Sequence, residues 1–241
     1  EHQRVVYTWT TNMKDFAGRK KVGLTDSHDY YSFCARKIRN LMKLFPCVRL
    51  GIDSQGGGFT IAEGLRDLDK LKPGERPIYP IIEEKKKKDT DDLAGDHCLE
   101  LVNFASSVWT SNANHGMRKD LEDKVLLFPR FDTLTLSLTS EKDKILFKEI
   151  KEKVGNSEAL KLYDTLEDAA MEIEELKDEL STIVMSITTA GRERWNTPEV
   201  KLGSGKKGRM RKDRYSALVI ANMIARTIQR ELPAPTYQHV G

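Results

Sequence analysis

Arg49-Leu50-Gly51-Ile52-Asp53-Ser54-Gln55-Gly56-Gly57-Gly58-Phe59 sets one carboxylate at the end of a short apolar run and follows it at once with three glycines. A strand that carries an acid to its tip, followed by backbone free of Cβ atoms, opens room for a phosphate or a metal beside a fixed oxygen ligand. Asp53 is therefore the first candidate catalytic residue. Asp and Gly also form turns readily, so the same residues serve as a tight turn with no further role.

Outward from this stretch the chain alternates elements. Upstream, Asp26 or Ser27 can cap a helix running to about Phe45, with Phe33, Ile38, Leu41, Met42 and Phe45 on one face and Arg36, Lys37, Arg39 and Lys43 on the other. Pro46 closes that helix, and Cys47 to Ile52 reads as a short buried strand. Ile61 to Leu71 reads as a second helix beyond the glycines. Strand, helix, strand, helix predicts a parallel α/β core. Arg4 to Thr10, β-branched and aromatic, reads as an earlier strand of a domain already under way.

Downstream, Lys72-Pro73-Gly74 and Arg76-Pro77 are turns, and Ile78 to Ile82 is a short strand. Glu83 to Asp92 is a charged loop containing the lysine run Lys85 to Lys88. Asp91, Asp92 and Asp96 form a tempting carboxylate cluster, yet acids after a lysine run read as a solvated loop entering a helix. That helix is expected over His97 to Trp109, with Leu99, Val102, Phe104 and Val108 as its apolar face. A strand follows at Lys124 to Pro129, an acidic helix at Ser157 to Leu180, and a strand at Ser181 to Thr188. No period of repeat length occurs, which excludes a solenoid.

Composition bounds the class. With 241 residues, 39% of them hydrophobic, the chain fits a soluble globular protein with a real core. It lacks a membrane-length apolar run and a signal-peptide pattern, so secretion is not expected. Cys34, Cys47 and Cys98 form no C-x-x-C pair and read as reduced thiols of a cytosolic compartment. The net charge is only +3, but 32% of residues are charged and the basic ones are bunched.

The bunching is densest in Lys201 to Arg214. There Lys201, Lys206, Lys207, Arg209, Arg211, Lys212 and Arg214 surround a single acid, Asp213, with Gly203, Gly205 and Gly208 loosening the backbone. Asp213 then opens an apolar helix over Tyr215 to Ile228. A basic, glycine-rich arm beside one carboxylate suits a site holding phosphodiester backbone near a metal, the cations on the strand and the acid on the ion. The plainer reading makes Asp213 a first-turn acid favoured by the helix dipole and the arm a solvated loop. Gly203-Ser204-Gly205-Lys206 lacks the spacing of a phosphate-binding loop, and no Walker motif occurs anywhere, so ATP hydrolysis is not expected.

Gly51-Ile52-Asp53-Ser54-Gln55-Gly56-Gly57-Gly58, together with Lys212-Asp213-Arg214-Tyr215-Ser216-Ala217-Leu218, resembles the nuclease domain of the large terminase subunit of tailed bacteriophages. The order between them is similar: a lysine-containing loop, the Leu101-Val102-Asn103-Phe104 helix, the Val125 to Pro129 strand, and a Leu- and Glu-rich helix before Ile183 to Thr188. The resemblance covers most of the chain and implies one RNase H-like α/β domain over residues 1–241, a mixed sheet flanked by helices. It implies Mg²⁺- or Mn²⁺-dependent cleavage of double-stranded viral DNA concatemers during genome packaging. Asp53 and Asp213 would be catalytic metal ligands, and residues 201–214 a flexible basic hairpin or loop that binds DNA. The implied partners are double-stranded DNA, a packaging ATPase domain, a small terminase subunit and a portal. The implied setting is the cytoplasm of an infected bacterial host, with no membrane involved.

One departure stands out. The family places a further aspartate on its first strand, and Arg4 to Thr10 holds no acid. The expectation is that the chain starts after that strand; Asp15, Glu63 and Asp91 are weaker sources of a third ligand. Two other readings remain: a junction resolvase-like nuclease of the same fold, and a non-catalytic module for DNA binding or motor docking.

Overall fold

Ile52 and Gly51 point to opposite faces of one strand, as neighbours in a strand must, and that alternation organises the protein. The computed structural model describes residues 2–21, 23–81, 94–131, 137–138, 141, 166–201 and 207–231. In chain order the elements are β1 (Gln3–Arg4), α1 (Met13–Lys21), α2 (Tyr30–Leu44), β2 (Leu50–Asp53), α3 (Gly57–Arg66), β3 (Ile78–Pro80), β4 (Asp96–Val102) and α4 (Ser107–Glu122). There follow β5 (Leu126–Leu127), α5 (Leu166–Thr182), β6 (Val184–Ile187), β7 (Glu193–Asn196), β8 (Glu199–Lys201), β9 (Lys207–Arg209) and α6 (Asp213–Glu231).

The chain is a mixed α/β protein in which small parallel sheets are flanked by six helices among the described residues. A three-stranded parallel sheet runs in the order β2-β4-β3, with Leu50 opposite Leu99 and Asp53 opposite Val102. A two-stranded parallel sheet pairs β1 with β5, and two antiparallel hairpins are formed by β6 with β7 and β8 with β9. Ile52 packs with Ala35, Ala62, Leu65, Ile78 and Leu99, so α2 and α3 cover one face of the larger sheet. The other face carries α6, whose Ile220 and Ile224 pack on Val102. Gly51 makes that approach possible: a Cβ there would lie 2.4 Å from both isoleucine side chains. A second core joins α4, β5, α5 and α6 around Met117, Leu126, Leu176, Leu218 and Val219. Each large aliphatic side chain buried this way contributes roughly 1.5–3 kcal/mol.

Several expectations shift. The helix predicted over His97 to Trp109 is instead strand β4 followed by α4, which Ser106 caps through its hydroxyl and the Trp109 N–H. The reason is physical. Leu99 faces α2 and α3 while Val102 faces α6. A strand buried on both sides carries apolar residues at both parities and mimics helical spacing. The helix predicted from Asp26 or Ser27 begins at Tyr30, capped by Asp29, whose Oδ1 accepts the Ser32 N–H at 2.9 Å. Arg39, expected on its solvent face, is 6% exposed and donates to the carbonyls of Arg76 and Leu65. The helix predicted over Ile61 to Leu71 starts earlier, at Gly57, and ends at Arg66 with a short 3₁₀ turn beyond it. Of the strands predicted at Arg4 to Thr10 and Lys124 to Pro129, only Gln3–Arg4 and Leu126–Leu127 pair regularly. The lysine run, Asp91, Asp92 and residues 157–165 lie outside the described residues.

Candidate functional site

Asp53 is the last residue of β2, at the carboxyl end of a parallel sheet, where open α/β sheets place their ligands. Its Oδ1 accepts the Gln55 N–H at 3.0 Å, and the next residue, Ser54, donates both its N–H (2.7 Å) and its hydroxyl (2.8 Å) to the Val102 carbonyl. The tip of β2 is thereby fastened to the end of β4. The following glycines have structural reasons of their own. Gly56, the cap of α3, has φ 58° and ψ −128°, a region closed to side-chain-bearing residues. Gly58 lies against the strand end, where a Cβ would stand 1.8 Å from the Asp53 carbonyl oxygen. The turn and the presented carboxylate are one device, because the glycines bring α3 back tightly beneath the acid.

Asp53 opens onto a cleft of about 410 Å³. Its walls are the start of α4, the β6–β7 hairpin with Arg192, Arg194 and Trp195, and the entry to α6 with Lys212 and Ser216. Lys212 donates from Nζ to the Trp195 carbonyl at 2.6 Å, tying the hairpin to α6. Burial, reinforced by Arg209 and Arg194, holds its amine below the usual lysine range. Glu193 accepts from His115 Nε2 (3.0 Å) and from Trp195 Nε1 (3.2 Å). The His115 hydrogen bond foremost, with that of Trp195, holds its carboxyl below the ordinary value.

Asp213 is exposed on the first turn of α6, next to Lys212 and one turn before Ser216, both of which line the cleft. It is close enough to Tyr30 to help raise that phenol, which burial foremost, then Cys34, pushes up to about 12. Among the described residues no three His, Cys, Asp or Glu side chains gather where they could hold a metal ion. Of the weaker third-ligand candidates, Asp15 takes the Asn12 amide at 2.6 Å, Glu63 pairs with Arg66, and Asp91 lies outside the described residues.

The predicted DNA-binding cations divide. Lys201 and Lys207 pair in register across the β8–β9 hairpin, and Lys206 lies outside the described residues. Arg211 is exposed, and Arg209 is held by Glu199 at 2.9 Å. Lys212 is committed to the Trp195 carbonyl. Arg214 departs furthest from the expectation. Its guanidinium is taken by Glu172 (2.7 Å), Glu179 (2.9 Å), Glu175 and the Thr10 hydroxyl (3.1 Å), with 13% of the side chain exposed. It anchors α6 to the acidic face of α5, and a phosphate would have to displace three carboxylates to reach it. No role was read from the sequence for Arg192, just before β7, or for Arg194 within it, whose alternation with Glu193 and Trp195 was the available signal. Comparison with protein-family models, with curated proteins and with solved structures finds no match to this chain.

Proposed function

We propose that this chain is a metal-dependent DNA endonuclease domain of RNase H-like type, acting on double-stranded viral DNA concatemers as terminase nucleases do. The observation that carries the reading is the position of Asp53, a carboxylate fixed at the carboxyl end of a parallel strand and facing a cleft walled by Arg192, Arg194 and Lys212. The similarity of the Asp53 and Asp213 motifs to the terminase family supports the chemistry, and the parallel β2-β4-β3 sheet between helices is compatible with the fold.

The donor set fits Mg²⁺ or Mn²⁺ in kind, since Asp53 and Asp213 offer hard carboxylate oxygens. It is short in number, since among the described residues no three such side chains gather, and Asp213 is not among the residues that line the Asp53 cleft. Bound there, a pair of such ions would supply an activated water and stabilisation of the leaving 3′-oxygen. The chain's own contributions are separate. Asp53 is held in place by the Gln55 N–H and by the Ser54 contacts to Val102. Arg192 and Arg194 offer bidentate donors to a phosphodiester at the cleft wall. Lys212 fixes the hairpin that carries them. The β8–β9 hairpin, Arg209 and Arg211 extend the cationic surface along the duplex, a contact that positions DNA without reading its sequence. A packaging ATPase domain, a small terminase subunit and a portal are the partners in this proposal, and the infected bacterial cytoplasm is its setting. Among the described residues no helix is long and apolar enough to cross a membrane.

That short donor set also favours a second reading, a non-catalytic module for DNA binding or motor docking. Incubation of the chain with Mn²⁺ and either linear duplex or four-way junction DNA separates the possibilities. The proposal expects cleavage of linear duplex, junction-selective cleavage identifies a resolvase-like enzyme, and binding to DNA with no cleavage leaves the non-catalytic module.

A further inference from the structure

Glu193 stands between Arg192 and Arg194 in the chain, and all three line the Asp53 cleft. An acid in that place opposes a polyanion, because it repels phosphate and offers each guanidinium a carboxylate of its own. Yet among the described residues no carboxylate pairs with Arg192 or Arg194. The cations of the basic arm differ: Arg209 is held by Glu199, and Arg214 by three glutamates. Glu193 is therefore kept from the two arginines beside it.

Strand alternation supplies part of the restraint, since Glu193 and Trp195 share one face of β7 and Arg194 takes the other. A glutamate side chain is long enough to turn past the strand edge, and α4 supplies what stops it. His115 Nε2 lies 3.0 Å from Oε1 and 3.1 Å from Oε2 of Glu193, and Trp195 Nε1 donates to Oε2 at 3.2 Å. Ser111, one turn before His115 on α4, gives a further hydrogen bond. The His115 ring also stands edge-on to Trp195, with centroids 5.2 Å apart and planes at 88°. These bonds, that of His115 foremost, hold the Glu193 carboxyl below its ordinary value, so it is charged at neutral pH. An ionised carboxylate only accepts, so His115 Nε2 carries the hydrogen. The acid is satisfied without either arginine.

We propose that His115 is a positioning residue for duplex binding: by holding the Glu193 carboxylate against α4, it keeps Arg192 and Arg194 open to phosphate. Released from His115, Glu193 turns to a neighbouring guanidinium, and an ion pair within the strand replaces one phosphate contact. His115 touches no DNA in this scheme and acts only through the acid it holds. The inference rests on the reading of the Asp53 cleft as a DNA site.

The test is binding of linear duplex DNA by the whole chain, titrated against salt in the presence of chelator so that no cleavage intervenes. His115→Ala, a change that suits a half-exposed helix position, should flatten the log-log salt slope by about 0.9, the loss of one phosphate contact, and weaken binding roughly eightfold at 0.1 M salt. His115→Leu serves if the alanine variant melts early. Glu193→Gln should bind at least as tightly as wild type, and His115→Ala with Glu193→Gln should recover the wild-type slope, because no charge is then left to turn on the arginines. His115→Gln, whose amide nitrogen donates to the same carboxylate, should keep that slope too. Equal loss in the single and double variants would overturn the proposal and make His115 a prop for the hairpin. Unchanged binding by a folded His115→Ala chain, beside a loss on Arg192→Ala or Arg194→Ala, would strike the proposal alone. A slope indifferent to both arginine variants would overturn the reading of the cleft, and this proposal with it.

Discussion

Replacing Arg214 with methionine separates an anchor from a DNA contact. The substitution keeps an apolar stem and removes the guanidinium that Glu172, Glu175, Glu179 and Thr10 share. Glu175 is half exposed, so its pairing contributes at most about 1 kcal/mol. Glu179 decides the magnitude, since its side chain is 9% exposed and would be left as a buried charge. Stranding such a charge costs about 3–5 kcal/mol. Glu179 retains the Tyr215 N–H at 2.9 Å, which places the expectation at the low end, about 3 kcal/mol. For a chain of this size each kcal/mol moves the melting temperature by roughly 2–4 °C, so Arg214→Met should melt about 6–12 °C lower. Duplex binding, titrated against salt below the melting range, should keep the wild-type slope. A variant that melts with the wild type and flattens the slope by about 0.9, the loss of one phosphate contact, would refute the anchoring role.

Glu75 gives a pH signature. Burial alone would raise its carboxyl, but hydrogen bonds from Arg36, the Lys72 N–H and Lys43 outweigh it and bring the pKa down to about 2 from 4.5. A depressed acid stabilises the fold above its unfolded pKa and loses that contribution as pH falls toward the folded value. Glu75→Gln should therefore unfold more easily than wild type at pH 6, with the difference closing between about pH 4.5 and 2; a constant offset across that window in urea titrations contradicts the pairing. Gly58→Ala should destabilise by about 1–3 kcal/mol or more through the clash with the Asp53 carbonyl, and a wild-type melting curve would count against the tight turn. Alanine at Lys206, Lys207 and Arg209 together should flatten the salt dependence of duplex binding by roughly one to three contacts' worth, about 0.9 each; identical slopes would remove the arm from the binding surface. Asp213→Ala should lose Mn²⁺-dependent cleavage while binding DNA no more weakly, because it deletes a negative charge facing phosphate; collapsed binding with surviving cleavage would make Asp213 a structural cap.

The parallel core was legible at β2, where an apolar run ends in Asp53 and glycines, and at α6, whose first turn carries Asp213. β4 was not, because a strand buried on both faces places Leu99 and Val102 three residues apart, the spacing of a helix face. Local charge density also misled at Arg214 and Arg39. A long cation near an acidic helix or near free carbonyls folds inward to satisfy them, and sequence proximity to other lysines carries no sign of that. The cleft wall from the β6–β7 hairpin was hidden for a related reason. Arg192 and Arg194 come to line the same cleft as Asp53 only through tertiary packing across more than a hundred residues, with Lys212 holding the hairpin in place.

Supercoiled plasmid incubated with Mn²⁺ and wild type, Asp53→Asn or Asp213→Ala protein tests the nuclease assignment most directly, with circular dichroism melts confirming that each chain is folded. The account predicts nicked and linear products from wild type that chelator abolishes, and a loss of about a hundredfold or more in each variant. Undiminished nicking by a folded Asp53→Asn chain would contradict it.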